Sequence, residues 1–250
     1  MRRKLKMIYE AMKRAHGSRG WWPVFRAGAG HADRPTYDPA RKRLTELQRF
    51  EIAVGAILTQ NTAWSNVEKA LVELHRHGDI SPMRLKRMPT RRLARLIRSS
   101  GYFNQKAGKL QDFSRFLEVN AGGPAPMRRL KNMRTGKIRD LLLSVNGVGP
   151  ETADSILLYA LEKPVFVVDA YTRRIFGRHG WIRGDEPYDD IRKWFETKIP
   201  KSVPLYNDYH AQIVEVGKRH CHRRRPECLS CPLYRRGFFV SPETFKGVMS

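Results

Sequence analysis

The 250-residue chain carries 48 Lys and Arg against 24 Asp and Glu, a formal net charge of +24 at pH 7 with a pI near 10.5. A hydrophobic content of 41% excludes a disordered chain, and no apolar run reaches the roughly 18 residues of a membrane span. Self-repulsion on this scale is relieved by a polyanion, and Arg outnumbers Lys by 32 to 16, which suits bidentate phosphate contacts. The charge points to nucleic acid; the alternative is a genomic bias toward Arg codons.

Leu5, Ile8, Tyr9 and Met12 fall at i, i+3, i+4 and i+7 and predict an amphipathic N-terminal helix. A loop rich in Gly, Pro and charge spans residues 17–39 and contains Trp21-Trp22-Pro23. Residues 50–58 are apolar nearly all round and predict a buried helix. Val67, Ala70, Leu71 and Leu74 mark the next one. Thr90 is placed as the cap of a helix carrying Leu93, Leu96 and Ile97, which Gly101 ends. Ala107, Leu110, Phe113, Phe116 and Leu117 predict a helix over 106–117, stopped by Gly122-Gly123. Two further stripes come next: Ile138, Leu141, Leu142 and Val145, then Ala153, Ile156, Leu157 and Ala160. Val165-Phe166-Val167-Val168 is strand-like, but one short run cannot build a sheet, so it is read as an extended buried connector. Helices are expected over 171–177, 188–197 and 206–218, with an irregular tail from His220. The fold class is all-α. The basic residues are spread over 2–6, 84–98, 128–139, 173–178 and 218–225, and the 84–98 stretch is expected to be a solvated face.

Between the two stripes near residue 147, Gly147 and Gly149 bracket a tight turn where positive φ and close backbone approach cost least. Pro150 suits the first turn of the next helix. Turn amides and a helix N-terminus make an anion site that takes a DNA phosphate without reading a base. Asn146, Gly147, Val148, Gly149 and Thr152 are assigned to this contact; the alternative is a plain turn between helices.

Val145-Asn146-Gly147-Val148-Gly149-x-x-Thr152-Ala153, followed by Val167-Val168-Asp169, resembles the helix-hairpin-helix DNA glycosylases of the endonuclease III superfamily. Phe50-Glu51 with residues 55–62 (GAILTQNT) is similar to the family's second-helix motif, residues 101–107 (GYFNQKA) to its next signature, and the tail cysteines to its iron–sulfur loop. The likeness covers about residues 45–235. It implies two helical domains with the active site in the cleft between them: a sequential barrel over 47–162 that ends in the hairpin, and a second domain from 1–46 plus 163–250.

The resemblance assigns the essential carboxylate to Asp169. The chemistry suits it: a buried connector delivers one acid to a helix start, and a fixed carboxylate stabilises an oxocarbenium-like sugar and orients water. Arg173 and Arg174 are expected to keep Asp169 ionised; the bland role for Asp169 is a helix cap. Bifunctional members carry Lys two residues after the hairpin's second Gly. Here that position is Glu151, and a carboxylate forms no imine, so a monofunctional N-glycosylase without Lys-dependent lyase activity is expected. Glu151 also fits as a plain acid at a helix N-terminus.

Glu151, residues 58–62 and Trp21-Trp22-Pro23 look most like the branch that removes alkylated purines such as 3-methyladenine. Trp21, Trp22, Trp64 and Glu151 are assigned to the base pocket, where indole faces attract a cationic purine that already leaves well; the alternative is loop-anchoring core for Trp21 and Trp22 and a helix-face core residue for Trp64. Gln60 and Asn61 are assigned to bases or to the gap left by a flipped base, with a polar helix end as the alternative. Lys106 is assigned to a phosphate.

Cys221, Cys228 and Cys231 match the first three ligands of the family's [4Fe–4S] loop, and Gly237 stands where the fourth should fall. A fourth ligand from elsewhere, a zinc site using His220 or His222, or a metal-free loop are the options. The expected partner is double-stranded DNA holding a damaged base, bound by a monomer with no membrane association, in the cytoplasm at the nucleoid. Alternatives are mismatched thymine or uracil, oxidised pyrimidines, or a non-catalytic DNA-binding protein.

Overall fold

The structure is a computed structural model that describes residues 1–26, 28, 33–40 and 43–234. In chain order the helices are α1 (Arg2–His16), α2 (Glu46–Leu58), α3 (Trp64–Arg76), α4 (Pro82–Arg87), α5 (Thr90–Leu96), α6 (Phe103–Asn120), α7 (Pro126–Asn132), α8 (Thr135–Leu143), α9 (Pro150–Ser155), α10 (Ala170–Arg178), α11 (Tyr188–Glu196) and α12 (Val203–Arg219). Short 3-10 turns lie at Arg98–Ser100 and Cys228–Ser230, and α9 widens into a π-helical turn at Ile156–Ala160. Extended pairing among the described residues is one antiparallel bridge, Val24 with Thr36. No described helix is long and apolar enough to cross a membrane. The chain divides into two compact units: Trp22–Lys163, and Met1–Trp21 together with the residues from Pro164 onward.

In the central unit α2 is buried from Arg49 to Leu58. Thr45 opens it with a capping box: its hydroxyl accepts the Gln48 amide, and the Gln48 side chain accepts the Thr45 amide. Gln48 Nε2 also donates to the Phe25 carbonyl (2.9 Å), and the buried Glu51 carboxylate accepts the Phe25 amide (3.0 Å). These bonds dock the 22–25 segment on α2, so residues 22–46 fall in the central unit and not, as the sequence predicts, with the terminal segments. Thr90 is not a cap. Pro89 precedes α5, and the Thr90 hydroxyl donates to Gln111 Oε1 (2.8 Å). Arg84 is not on a solvated face: its guanidinium donates to the carbonyls of Leu74, His77, Gly78 and Asp79 and closes the end of α3.

In the terminal unit the connector at 165–168 is extended and buried, with no residue above 3% exposure. Its backbone is satisfied by side chains instead of a partner strand. The Phe166 amide donates to Glu196 Oε1 (2.9 Å) and the Val168 amide to the Tyr188 hydroxyl (3.3 Å). Phe166 stacks on Phe195 at 4.0 Å between centroids. α10 lies on α12 at Gly217, where an added Cβ would come within 2.1 Å of the Tyr171 ring.

Candidate functional site

The hairpin joins α8 to α9, and Arg139 braces the two helices by gripping the fully buried Asp154 with two bonds of 2.7 and 3.1 Å. Gly147 supplies the left-handed backbone, with φ +77. A Cβ there would also strike the Lys109 side chain, 2.4 Å from its Cε. Gly149 departs from expectation: its φ is −85, open to any residue. An added Cβ at Gly149 would meet nothing within 4 Å, so what its absence preserves is open surface beside the exposed start of α9. Asn146 is exposed and its amide donates to Asp112 Oδ2 (3.3 Å). Val148 is corrected from its assigned contact role, because its side chain is buried and its amide donates to the Val145 carbonyl (3.0 Å). Thr152 likewise turns inward: it is 7% exposed and its hydroxyl accepts from Gln60 Nε2 (3.0 Å).

Gln60 ties the turn from below. Nε2 also donates to the Gly147 carbonyl (2.9 Å), while Oε1 accepts from Lys109 Nζ (2.6 Å). The side chain assigned to a flipped-base gap is thus spent on the hairpin, and the exposed neighbour Asn61, at φ 54, is the residue that faces outward. The phosphate role for Lys106 is overturned by burial. It is 2% exposed, and its ammonium donates to the Leu58 and Ser100 carbonyls at 2.8 and 2.6 Å. Burial, and then the charge of Lys109, pushes its pKa down to about 8.

Trp22 is core, 7% exposed, with its indole on Gly55; an added Cβ there would come within 3.0 Å of the ring. Its ring meets Trp64 edge-on at 5.4 Å and Tyr159 at 5.3 Å. Trp64 is half-buried, and Tyr159 projects from the π-helical turn. Trp21 belongs to the terminal unit. Its amide donates to Asn207 Oδ1 (2.6 Å), Asn207 Nδ2 donates back to its carbonyl, and Lys218 Nζ stands 5.8 Å from its ring centroid. Glu151 is exposed in the first turn of α9.

Asp169 caps α10 with one carboxylate oxygen and turns the other toward a histidine. Oδ1 accepts the Thr172 amide (2.7 Å) and hydroxyl (2.9 Å), while Oδ2 lies 3.5 Å from His210 Nε2. Burial opposes ionisation, but His210 and the Thr172 bonds outweigh it and hold the carboxyl below its ordinary value of 3.8. Arg173 and Arg174 do not perform this task as expected. Arg173 donates to the carbonyls of Gly184 and Glu186, and Arg174 to those of Cys221 and Gly217.

Cys221 and Cys231 are buried and Cys228 is half-buried. Burial, and the neighbouring thiols after it, push Cys228 and Cys231 up. Arg178 donates to Cys221 Sγ (3.2 Å) and to the carbonyls of His222 and Arg223. His220 pairs with Ser230 Oγ (2.9 Å) and His222 lies 3.4 Å from Glu227, so both imidazoles face other partners. Among the described residues, no group of three His, Cys, Asp or Glu side chains is placed to hold a metal ion. Gly237 lies outside the described residues.

Sequence reasoning missed Lys109, Tyr102, Tyr159 and His210. Tyr102 carried the one usable signal, an aromatic directly after Gly101; it is 66% exposed with φ 46. His210 sits amid an ordinary apolar stripe, and nothing local marks it.

The family described as HhH-GPD superfamily base excision DNA repair protein matches residues 54–201. A Methanocaldococcus jannaschii protein named "Putative DNA repair glycosylase MJ1434" is 39% identical over 233 residues, covering 92% of this chain and 95% of its own length. Endonuclease III of Thermotoga maritima is 30% identical over 191 residues, covering 74% and 81%. Among solved structures, a non-covalent endonuclease III–DNA complex shares the fold at a TM-score of 0.73 and 22% identity, over 100% of this chain and 99% of the other. A 3-methyladenine DNA glycosylase of H. pylori bound to 1,N6-ethenoadenine aligns at 0.66 and 26% identity, over 86% and 97%.

Proposed function

We propose, on the premise that this chain belongs to the HhH-GPD superfamily of base excision DNA repair proteins, that it is a monofunctional DNA glycosylase acting on alkylated purines in duplex DNA. The observation that carries the monofunctional reading is Glu151, an exposed carboxylate in the first turn of α9 where imine formation would need an amine. Asp169 is the group assigned to the sugar. One oxygen is fixed by Thr172, and the ionised carboxylate stabilises positive charge at the anomeric carbon and orients the attacking water. An alkylated purine is cationic and departs without a general acid. Half-buried Trp64 offers an aromatic face suited to it, with the buried Trp22 ring packed against Trp64 and the buried Tyr159 ring behind Trp22, and Trp21 is assigned a stacking role. Gly147 and Gly149, with the basic surface, supply sequence-blind affinity that falls with salt. The protein is proposed to act as a monomer.

One observation favours a second reading, an uncharged base such as uracil, mismatched thymine or an oxidised pyrimidine. The Lys218 ammonium already stands near the Trp21 face that a cationic purine would use. Base release decides between them. Duplexes carrying 3-methyladenine, uracil or thymine mismatches, and an oxidised pyrimidine are incubated with the protein, with and without borohydride. Free methylated purine, an uncut abasic strand and no trapped adduct are expected. Release of pyrimidine alone supports the second reading, and a trapped adduct overturns the monofunctional one.

A further inference from the structure

Lys106 makes an unusual use of a charge. Its ammonium is buried without a carboxylate partner among its hydrogen bonds; both described bonds go to backbone carbonyls. A methionine would fill similar volume without desolvating an ion. The carbonyls are informative. Leu58 is the last residue of α2, and Ser100 is the last of the 3-10 turn before α6. Both are C-terminal carbonyls that their own helices leave unbonded, where a cation is favoured.

Shortly after each carbonyl the chain holds an exposed residue in the left-handed region. Asn61 (φ 54) comes three residues after Leu58, and Tyr102 (φ 46) two residues after Ser100. Non-glycine residues in that region are uncommon, and described residues of this kind are Asn61, Tyr102 and Glu162. One buried ammonium therefore joins the bases of two strained, outward-facing tips, one amide and one aromatic. An amide can bond a base edge and a ring can stack on neighbouring bases, so both suit the space an extruded base leaves in a duplex.

We propose that Lys106 is a positioning residue that holds Asn61 and Tyr102 in register so that they enter the duplex together as the damaged base turns out. The inference rests on the glycosylase reading and adds to it the device that couples the two tips. The charge is needed because one donor group must serve two carbonyls from different segments. The depressed pKa is the cost of placing it there.

The test compares substrates. Lys106→Met is expected to slow single-turnover release from a fully paired duplex by about 10-fold or more. The same lesion opposite an abasic site, already partly unstacked, should lose less than about 3-fold. Equal losses on both substrates, or none on either, overturn the proposal. Surface variants guard against a folding failure at the buried site. Asn61→Ala and Tyr102→Ala should each slow paired-duplex release, with the double variant no slower than about the worse single. Multiplying effects overturn the coupling. Fluorescence of 2-aminopurine beside the lesion reports extrusion without base release. If wild type raises that signal and Lys106→Met does not, while no base is released by either, the glycosylase reading falls and the clamp stands.

Discussion

The Asp169 carboxylate accepts the Thr172 amide at 2.7 Å, so the residue assigned to chemistry is also the cap of α10. The two roles separate by substitution. Asp169→Asn keeps a good capping side chain and should leave the thermal midpoint and duplex affinity near wild type, while base release falls by roughly 10²–10⁴-fold. Asp169→Ala should lose activity equally and cost about 1 kcal/mol of stability besides. Calorimetry beside single-turnover assays checks both; an active Asp169→Asn sinks the catalytic assignment.

Gln60 bonds the Gly147 carbonyl, Thr152 and Lys109 at once. Gln60→Ala is expected to cost about 1–2 kcal/mol, since it leaves buried or half-buried partners unmet, and to weaken duplex binding severalfold. Lys109→Met on top of it should add less than it does alone, because both act through one network. Urea unfolding and fluorescence-anisotropy titration of the double-mutant cycle measure this; strict additivity would argue that the hairpin is positioned independently.

Gly55 faces the Trp22 indole, and a methyl group added there would lie 3.0 Å from the ring, close enough that the ring must give by a few tenths of an ångström. Gly55→Ala should displace the ring and destabilise by about 1–3 kcal/mol through overpacking. If Trp22, Trp64 and Tyr159 wall the base pocket, release rates should fall more than duplex affinity does. A variant with wild-type stability and rate would show that α2 and the ring can part without consequence.

Glu162 is held below the ordinary glutamate value of 4.5: burial opposes its ionisation, and bonds from Lys131 and Arg49 overcome that. The unfolded chain then binds the proton more readily than the folded one. This contribution is complete above about pH 4.5 and disappears as pH falls through the lower folded value. Glu162→Gln strands the 6%-exposed Arg49 and should cost roughly 1–2 kcal/mol at neutral pH, with the gap to wild type closing in acid. Urea midpoints from pH 3 to 7 give the curve; a gap independent of pH rules the linkage out.

Periodicity made α2, α6 and the buried connector legible, because apolar side chains on one face need a core whatever their neighbours. The hairpin was legible because Gly and Pro punctuate the backbone locally. Charged residues were misjudged for the opposite reason. Arg84 and Lys106 stand among other basic residues and look solvated, yet each closes helix-end carbonyls that only the packed chain brings within reach. α4 and α7 escaped notice because each holds just two apolar residues besides its opening Pro, too few for a stripe. Their starts are set by Ser81 with Pro82, and by the Glu46 carboxylate reaching the Met127 and Arg128 amides from 80 or more positions away. The expectation that Arg173 and Arg174 steady Asp169 failed on direction: proximity in sequence put them one turn on, but their forks point to carbonyls elsewhere.

The π-helical turn at Ile156–Ala160 has an arithmetic meaning. Leu161 donates to the carbonyl five residues back, so this turn holds one residue more than an α-helix would place there. Each residue advances an α-helix by about 100°. A helix of the same composition but one residue shorter would keep an apolar stripe and aim Tyr159 away from Trp22. That ring contact is therefore specified by a count of residues as much as by their kinds, and a deletion that spares every aromatic could still dismantle it.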